Sequence, residues 1–183
     1  VEEVRRIQSD MRQALAGLQD LAQRRVGRVA VAALPSVAAE WMPQVLARYR
    51  AANPQIKVEL FDSLAGPALS MLREGRVDMA ITSGEDLREF ECMVLRLEKF
   101  YFVCRDDHPM ADRSSVSLLQ VAGADMMHLA RTSSVRQHLQ AQPAMLAAPP
   151  HGLEVEHLAT LAALIAQGLG VSVVPELTLF HFR

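Results

Sequence analysis

The stretch GRVAVAALPSVAAEWMPQVL, Gly27 to Leu46, decides how the rest of the chain is read. Val29 to Leu34 form an almost uninterrupted apolar run, which suits a strand covered on both faces, as in a parallel sheet flanked by helices. Pro35 can give no hydrogen bond to a ladder, so the strand ends there. Ser36 then offers a side-chain oxygen to the first amides of a helix from Val37 to about Ala52. A helix start at the carboxyl end of a parallel strand is where α/β folds hold small ligands, anions above all.

Working outward, the same alternation continues. NPQ (Asn53 to Gln55) stops the helix, because the residue before proline avoids helical angles. IKVELFD alternates with Ile56, Val58 and Leu60 on one face and reads as a second strand. AGPALSMLREG gives a short helix with Leu69 and Leu72 inward and Gly75 as its stop, and VDMAIT (Val77 to Thr82) is the third strand. A long strand, Val94 to Val103, breaks the rhythm as a crossover. Beyond it the pattern resumes with helix SLLQVAG, strand DMMHLA, helix SSVRQHLQ, strand LEVE, helix HLATLAALIAQG and strand VSVVP. The expectation is an α/β chain of two Rossmann-like lobes joined at a hinge, with right-handed crossovers.

Ahead of the lobes, Val4, Ile7, Met11, Ala14, Leu18 and Leu21 recur at alternating spacings of three and four. That is the seam of a two-stranded coiled coil, so residues 1–25 are expected to form a long linker helix that pairs chains, through Val4, Ile7, Met11, Leu18 and Leu21. Lobe 1 is assigned to residues 26–100, and the hinge strand with lobe 2 to residues 101–183.

The chain has 183 residues, half of them hydrophobic, and a formal charge of −2. This is enough for two small cores, and the near-neutral balance gives no electrostatic grip on nucleic acid by this chain itself. Two cysteines, Cys92 and Cys104, make no disulfide framework and fit a reduced, cytoplasmic setting. No apolar stretch approaches the ~20 residues of a membrane helix.

Catalytic and cofactor chemistry find little support. No serine sits in G-x-S-x-G. The cluster His151, Glu154, Glu156 and His157 fits neither H-E-x-x-H nor H-x-x-E-H, and its strand alternation sends Leu153 and Val155 to the face opposite the glutamates. Gly168 and Gly170 follow a helix and precede a strand, the reverse of a dinucleotide loop. Cys104 has no base or metal partner beside it in sequence and reads as a structural thiol. No enzyme, metal or cofactor is therefore expected. Binding is better supported: the strand ends place Ser36, then Ser63 and Leu64, then Thr82 and Ser83, at the edge of lobe 1. In lobe 2, Ala130 to Ser134 follows a strand and opens a helix, which offers Arg131, Thr132 and Ser133. Hydroxyl-lined helix starts with one arginine suit a small carboxylate or similar anion.

In order and spacing, four stretches together resemble one family. They are GRVAVAALPSVAAEWMPQVLARYRAANPQIKVEL, LREGRVDMAITSG, DDHPMA and HLATLAALIAQGLGVSVVPEL, and the family is the effector-binding region of LysR-type transcriptional regulators. The resemblance implies a type 2 periplasmic-binding-protein-like fold and the same loops as the effector pocket. It further implies a homodimer or homotetramer, and promoter DNA bound only through an N-terminal winged helix-turn-helix that these residues do not supply. The family's return strand and final helix from lobe 2 to lobe 1 are also not matched. The alternative is the solute-binding receptor of a transport system, which shares the two-lobe design. The heptad helix argues against it.

Overall fold

The computed structural model describes Met11 and residues 27–84, 87–146 and 152–182. Val4, Ile7, Leu18 and Leu21, and with them the expected coiled-coil seam, lie outside the described residues; Met11 is helical and exposed. The described residues fall into two compact units divided between residues 85 and 86.

In the first unit β1 (Arg28–Ala33) lies between β2 (Lys57–Asp62) and β3 (Met79–Ile81), all parallel. Ala30, Val31, Ala32 and Ala33 are buried, as a central strand covered on both faces requires. Two helices follow where one was expected: α1 (Pro35–Glu40) and α2 (Met42–Ala52), separated at Trp41. Pro43 causes the break, since its ring has no N–H to give and clashes with the carbonyl one turn back. Asn53 ends α2 as the sequence suggested, its N–H and its Nδ2 both donating to the Tyr49 carbonyl at 2.8 and 3.0 Å.

The next helix, α3 (Ala65–Arg73), buries Ala68 and Met71, with Leu72 packed beside them. Leu69 is only half-buried. The inward stripe is therefore centred a residue away from the expected one. Ala68 shares a core with Ala30 and Ala32, and small residues on both sides let the helix lie close on the strand.

The second unit is built on two strand pairs. β4 (Phe100–Val103) runs antiparallel to β7 (Ser172–Pro175), and β5 (His128–Leu129) parallel to β6 (Glu154–Val155). A parallel bridge between Met126 and Val171 joins them, reinforced by Ser172 Oγ donating to the Met127 carbonyl at 2.9 Å. One face packs Met127, Leu129 and Val174 against α7 (Leu158–Ala166) through Leu161 and Ile165. The other packs Met126, Val171 and Val173 against α4 (Leu118–Ala122), α5 (Ser134–Gln140) and α6 (Pro143–Leu146). The start of α4 is a reciprocal cap: Gln120 N–H donates to Ser117 Oγ, and Ser117 N–H to Gln120 Oε1.

Two glycines hold the sheet together by having no side chain. Gly152 (φ 139°) precedes β6 and Gly170 (φ 149°) precedes β7. A Cβ at the first would overlap the Met126 carbonyl oxygen, and at the second the Asp125 carbonyl oxygen. Gly168 (φ 76°) follows the end of α7, its N–H donating to the Ile165 carbonyl at 2.8 Å.

The expected long strand from Val94 is corrected. Only Phe100–Val103 is strand, and residues 91–99 take no regular element. Phe100 pairs with Pro175, where β7 gives way to a 3-10 helix (Glu176–Phe182), so β7 offers no further partner upstream of Phe100. The segment is tied instead by Arg96 Nη2 to Glu176 Oε2 (2.5 Å) and by Leu177 N–H donating to Glu98 Oε1 (3.1 Å). Met93 and Leu97 are left 80% and 89% exposed.

Candidate functional site

The register of the first sheet sets its candidate residues. Ala33 lies opposite both Asp62 and Ile81, so all three strands end level. Leu34 N–H donates to the Ile81 carbonyl at 3.0 Å and Ser63 N–H to the Ala33 carbonyl at 2.9 Å, carrying the ladder one residue past the strands. Ser36, Ser63, Leu64, Thr82 and Ser83 therefore follow level strand ends at one edge of the unit. Ser36, Ser63, Leu64 and Thr82 are half-buried and Ser83 is exposed. The expected cap role of Ser36 does not hold. Leu34 occupies the N-cap, no side chain caps α1, and Ser36 is the second helical residue. Pro35 explains the shift, since its fixed φ is preorganised for the first helical position. At α3 the N-cap is Leu64, whose carbonyl accepts from Ala68 N–H at 2.9 Å. Thr82 Oγ1 donates to the Ser83 carbonyl at 3.3 Å.

In the second unit Ala130 N–H donates to the Val155 carbonyl at 2.9 Å, so residues 130–133 leave the carboxyl end of β5. Ser133 is the N-cap residue of α5 and buried, although its side chain makes no capping bond. Arg131 and Thr132 are exposed. The loop is pinned from behind: Ser133 N–H donates to the Ala130 carbonyl (2.8 Å), and Gln137 Nε2 donates to the Arg131 carbonyl (3.2 Å). The geometry thus brings together the five residues of the first unit and, separately, the three of the second.

Sequence reasoning missed the polar group behind this loop. His128 on β5 sits opposite Glu154 on β6, with Arg136 of α5 near both. Burial, then Arg136, pushes the imidazole down from 6.5 to about 4, while Glu154 opposes the shift. Burial also lowers Arg136, helped by Arg131 and opposed by Glu154. With the Gln140 amide turned to accept, Arg136 Nε and Nη2 both donate to its oxygen at 3.1 Å. One signal was available: a cation in the first turn of a helix opposes the helix dipole.

Among the described residues no group of three or more His, Cys, Asp or Glu converges as a metal site; His151 lies outside them. Cys104 is half-buried, and burial first, then Asp106 and Asp107, raise its thiol pKa. Such a thiol is held protonated and weakly nucleophilic. No described helix is long and apolar enough to cross a membrane.

The LysR substrate binding domain model matches residues 22–181. The chain belongs to the LysR substrate-binding-domain family. The uncharacterized HTH-type transcriptional regulator YbhD of Escherichia coli (strain K12) is 26% identical over 184 residues, covering 98% of this chain and 57% of its own length. The chain thus spans little more than half of that relative. Among solved structures, the effector binding domain of QuiR in complex with shikimate superposes with a TM-score of 0.72 at 21% identity, over 82% of this chain and 74% of that one. The Synechocystis PCC6803 CcmR regulatory domain in complex with 2-PG gives 0.67 at 17% identity, over 84% and 74%. The fold is the type 2 periplasmic-binding-protein-like α/β fold of these LysR effector-binding domains.

Proposed function

We propose that this chain is the sensing part of a cytoplasmic LysR-type transcription regulator and that it binds a small anionic metabolite without turning it over. Each lobe offers its own loop residues to such a ligand: Ser36, Ser63, Leu64, Thr82 and Ser83 in the first, Arg131, Thr132 and Ser133 in the second. Arg131 supplies the cation and the hydroxyls the neutral hydrogen bonds. Residues 1–25 pair chains into a homodimer or homotetramer, and promoter DNA is met by a helix-turn-helix outside these residues. Ligand reaches DNA through its different affinity for two arrangements of the assembly.

The observation that carries this reading is the level ending of β1, β2 and β3, which lines three loops along one edge. The family match and the regulator YbhD favour it over a transport receptor. Thermal-shift titration with a carboxylate panel, starting with shikimate and 2-PG, is the test. A ligand at a hundred times its Kd stabilises by about 2.7 kcal/mol. The double variant Ser36→Ala, Thr132→Val should lose more of that gain than either single change. If no acid stabilises the chain, or the double variant binds as well as the parent, the reading fails.

A further inference from the structure

We propose that the second unit holds an additional small-molecule site, an apolar cavity between β4 and α5 that takes a neutral molecule with a single aromatic ring. The cavity measures about 260 Å³, and an engineered apolar cavity of about 150 Å³ already accepts benzene. Phe102 and Val173 line it from the strands, Leu118 and Val121 from α4, and Leu139 from α5. Phe100 and His138 line it as well, their rings stacked on one another in parallel at 5.1 Å and 5°. With Phe102 these rings let an aromatic guest make edge-to-face or offset-stacked contact, which an aliphatic chain of the same volume lacks.

Among the described residues no carboxylate, ammonium or guanidinium lines the cavity. An ionised guest would lose its hydration there without a countercharge. The polar handles are the His138 imidazole and the Gln142 amide, whose Nε2 donates to the His138 carbonyl at 3.4 Å. Both suit one neutral hydrogen-bonding substituent on the guest. None of Arg131, Thr132 and Ser133 lines it, so this is not the proposed anion site. The two are nevertheless mechanically close. His138 and Leu139 belong to the seven-residue α5, and Gln137 of the same helix holds the Arg131 carbonyl. A guest against α5 therefore acts on the helix that anchors loop 130–133.

The test is a titration of the 183-residue chain with indole, followed by methyl NMR. Saturable shifts are expected at Leu118, Val121, Leu139 and Val173, with benzoate at equal concentration leaving them unmoved. Val116→Phe, which fills the cavity from its wall, should abolish the shifts while the Leu161 and Val174 methyls of the opposite core keep their positions. Should that variant misfold, Phe100→Ala replaces it and should weaken indole about tenfold. Absent shifts, equal shifts with benzoate, or unchanged indole binding in the variant that folds would overturn the proposal. Because the readout never touches the carboxylate panel, its failure and that of the anion reading are separable.

Discussion

Asp78 holds Ala30 from both sides. Its side-chain Oδ2 accepts the Ala30 N–H at 2.7 Å, and its own N–H donates to the Ala30 carbonyl at 2.8 Å. β3 begins only at Met79, opposite Val31, so the carboxylate replaces the ladder partner that the central strand lacks there. Removing it leaves a buried amide unpaired, at a cost of about 1–3 kcal/mol. Asp78→Ala should lower the urea midpoint accordingly, and Asp78→Asn, which keeps an acceptor, should lose much less. Equal losses would mean that the carboxylate matters for some other reason.

Glu59 should make the first lobe sensitive to strong acid. Arg28 Nη2 and Nε donate to its Oε2 at 2.7 and 3.0 Å, and Lys57 Nζ lies 2.7 Å from Oε1. The Arg28 and Lys57 hydrogen bonds hold the carboxyl at about 2 instead of 4.5. A depressed carboxylate stabilises the fold above its ordinary value and loses that contribution as pH falls from about 4.5 towards 2. For charges this exposed the effect is about 0.5–1 kcal/mol. Denaturation of Glu59→Gln should show that deficit at pH 7 and none near pH 2; a deficit that persists in acid would contradict the ion-pair account.

His128 should act in the milder range. Its folded value, about 4, lies below the ordinary 6.5, so the unfolded chain binds the extra proton between them. Its contribution is fully present above 6.5 and declines as pH falls to about 4. His128→Gln should therefore flatten the loss of melting temperature across that window. A parallel decline in both proteins would show that acid acts elsewhere.

The two thiols should react at different rates. Cys92 is exposed and Cys104 half-buried, with its pKa raised by burial and by two neighbouring carboxylates. At pH 8, iodoacetamide should label Cys92 several-fold faster by peptide mass spectrometry, since only the thiolate attacks. Comparable rates would refute the electrostatic assignment.

Strands and strand ends were the legible part of this chain. The apolar run to Leu34, the alternation around Val58 and the Asn-Pro stop each carry their own local physics. What was missed is part local and part dependent on partners far away in sequence. Pro43 breaks a helix that periodicity alone continues, and Ala68 turns inward because Ala30 and Ala32 leave it room. Residues 94–99 fail to form a strand because β7 stops at Pro175. The site divides in the same way: loops after strands could be named from sequence, whereas His128 and Arg136 become one group only when β5, β6 and α5 meet.

Gly152 and Gly170 press on consecutive carbonyls, those of Met126 and Asp125. In an exhaustive substitution library this pair should behave as a lock with one key: almost no residue but glycine survives at either position, and restoring one does not rescue the other. Loop 130–133 can then vary in sequence while the frame of the second unit that carries it stays fixed by two missing side chains.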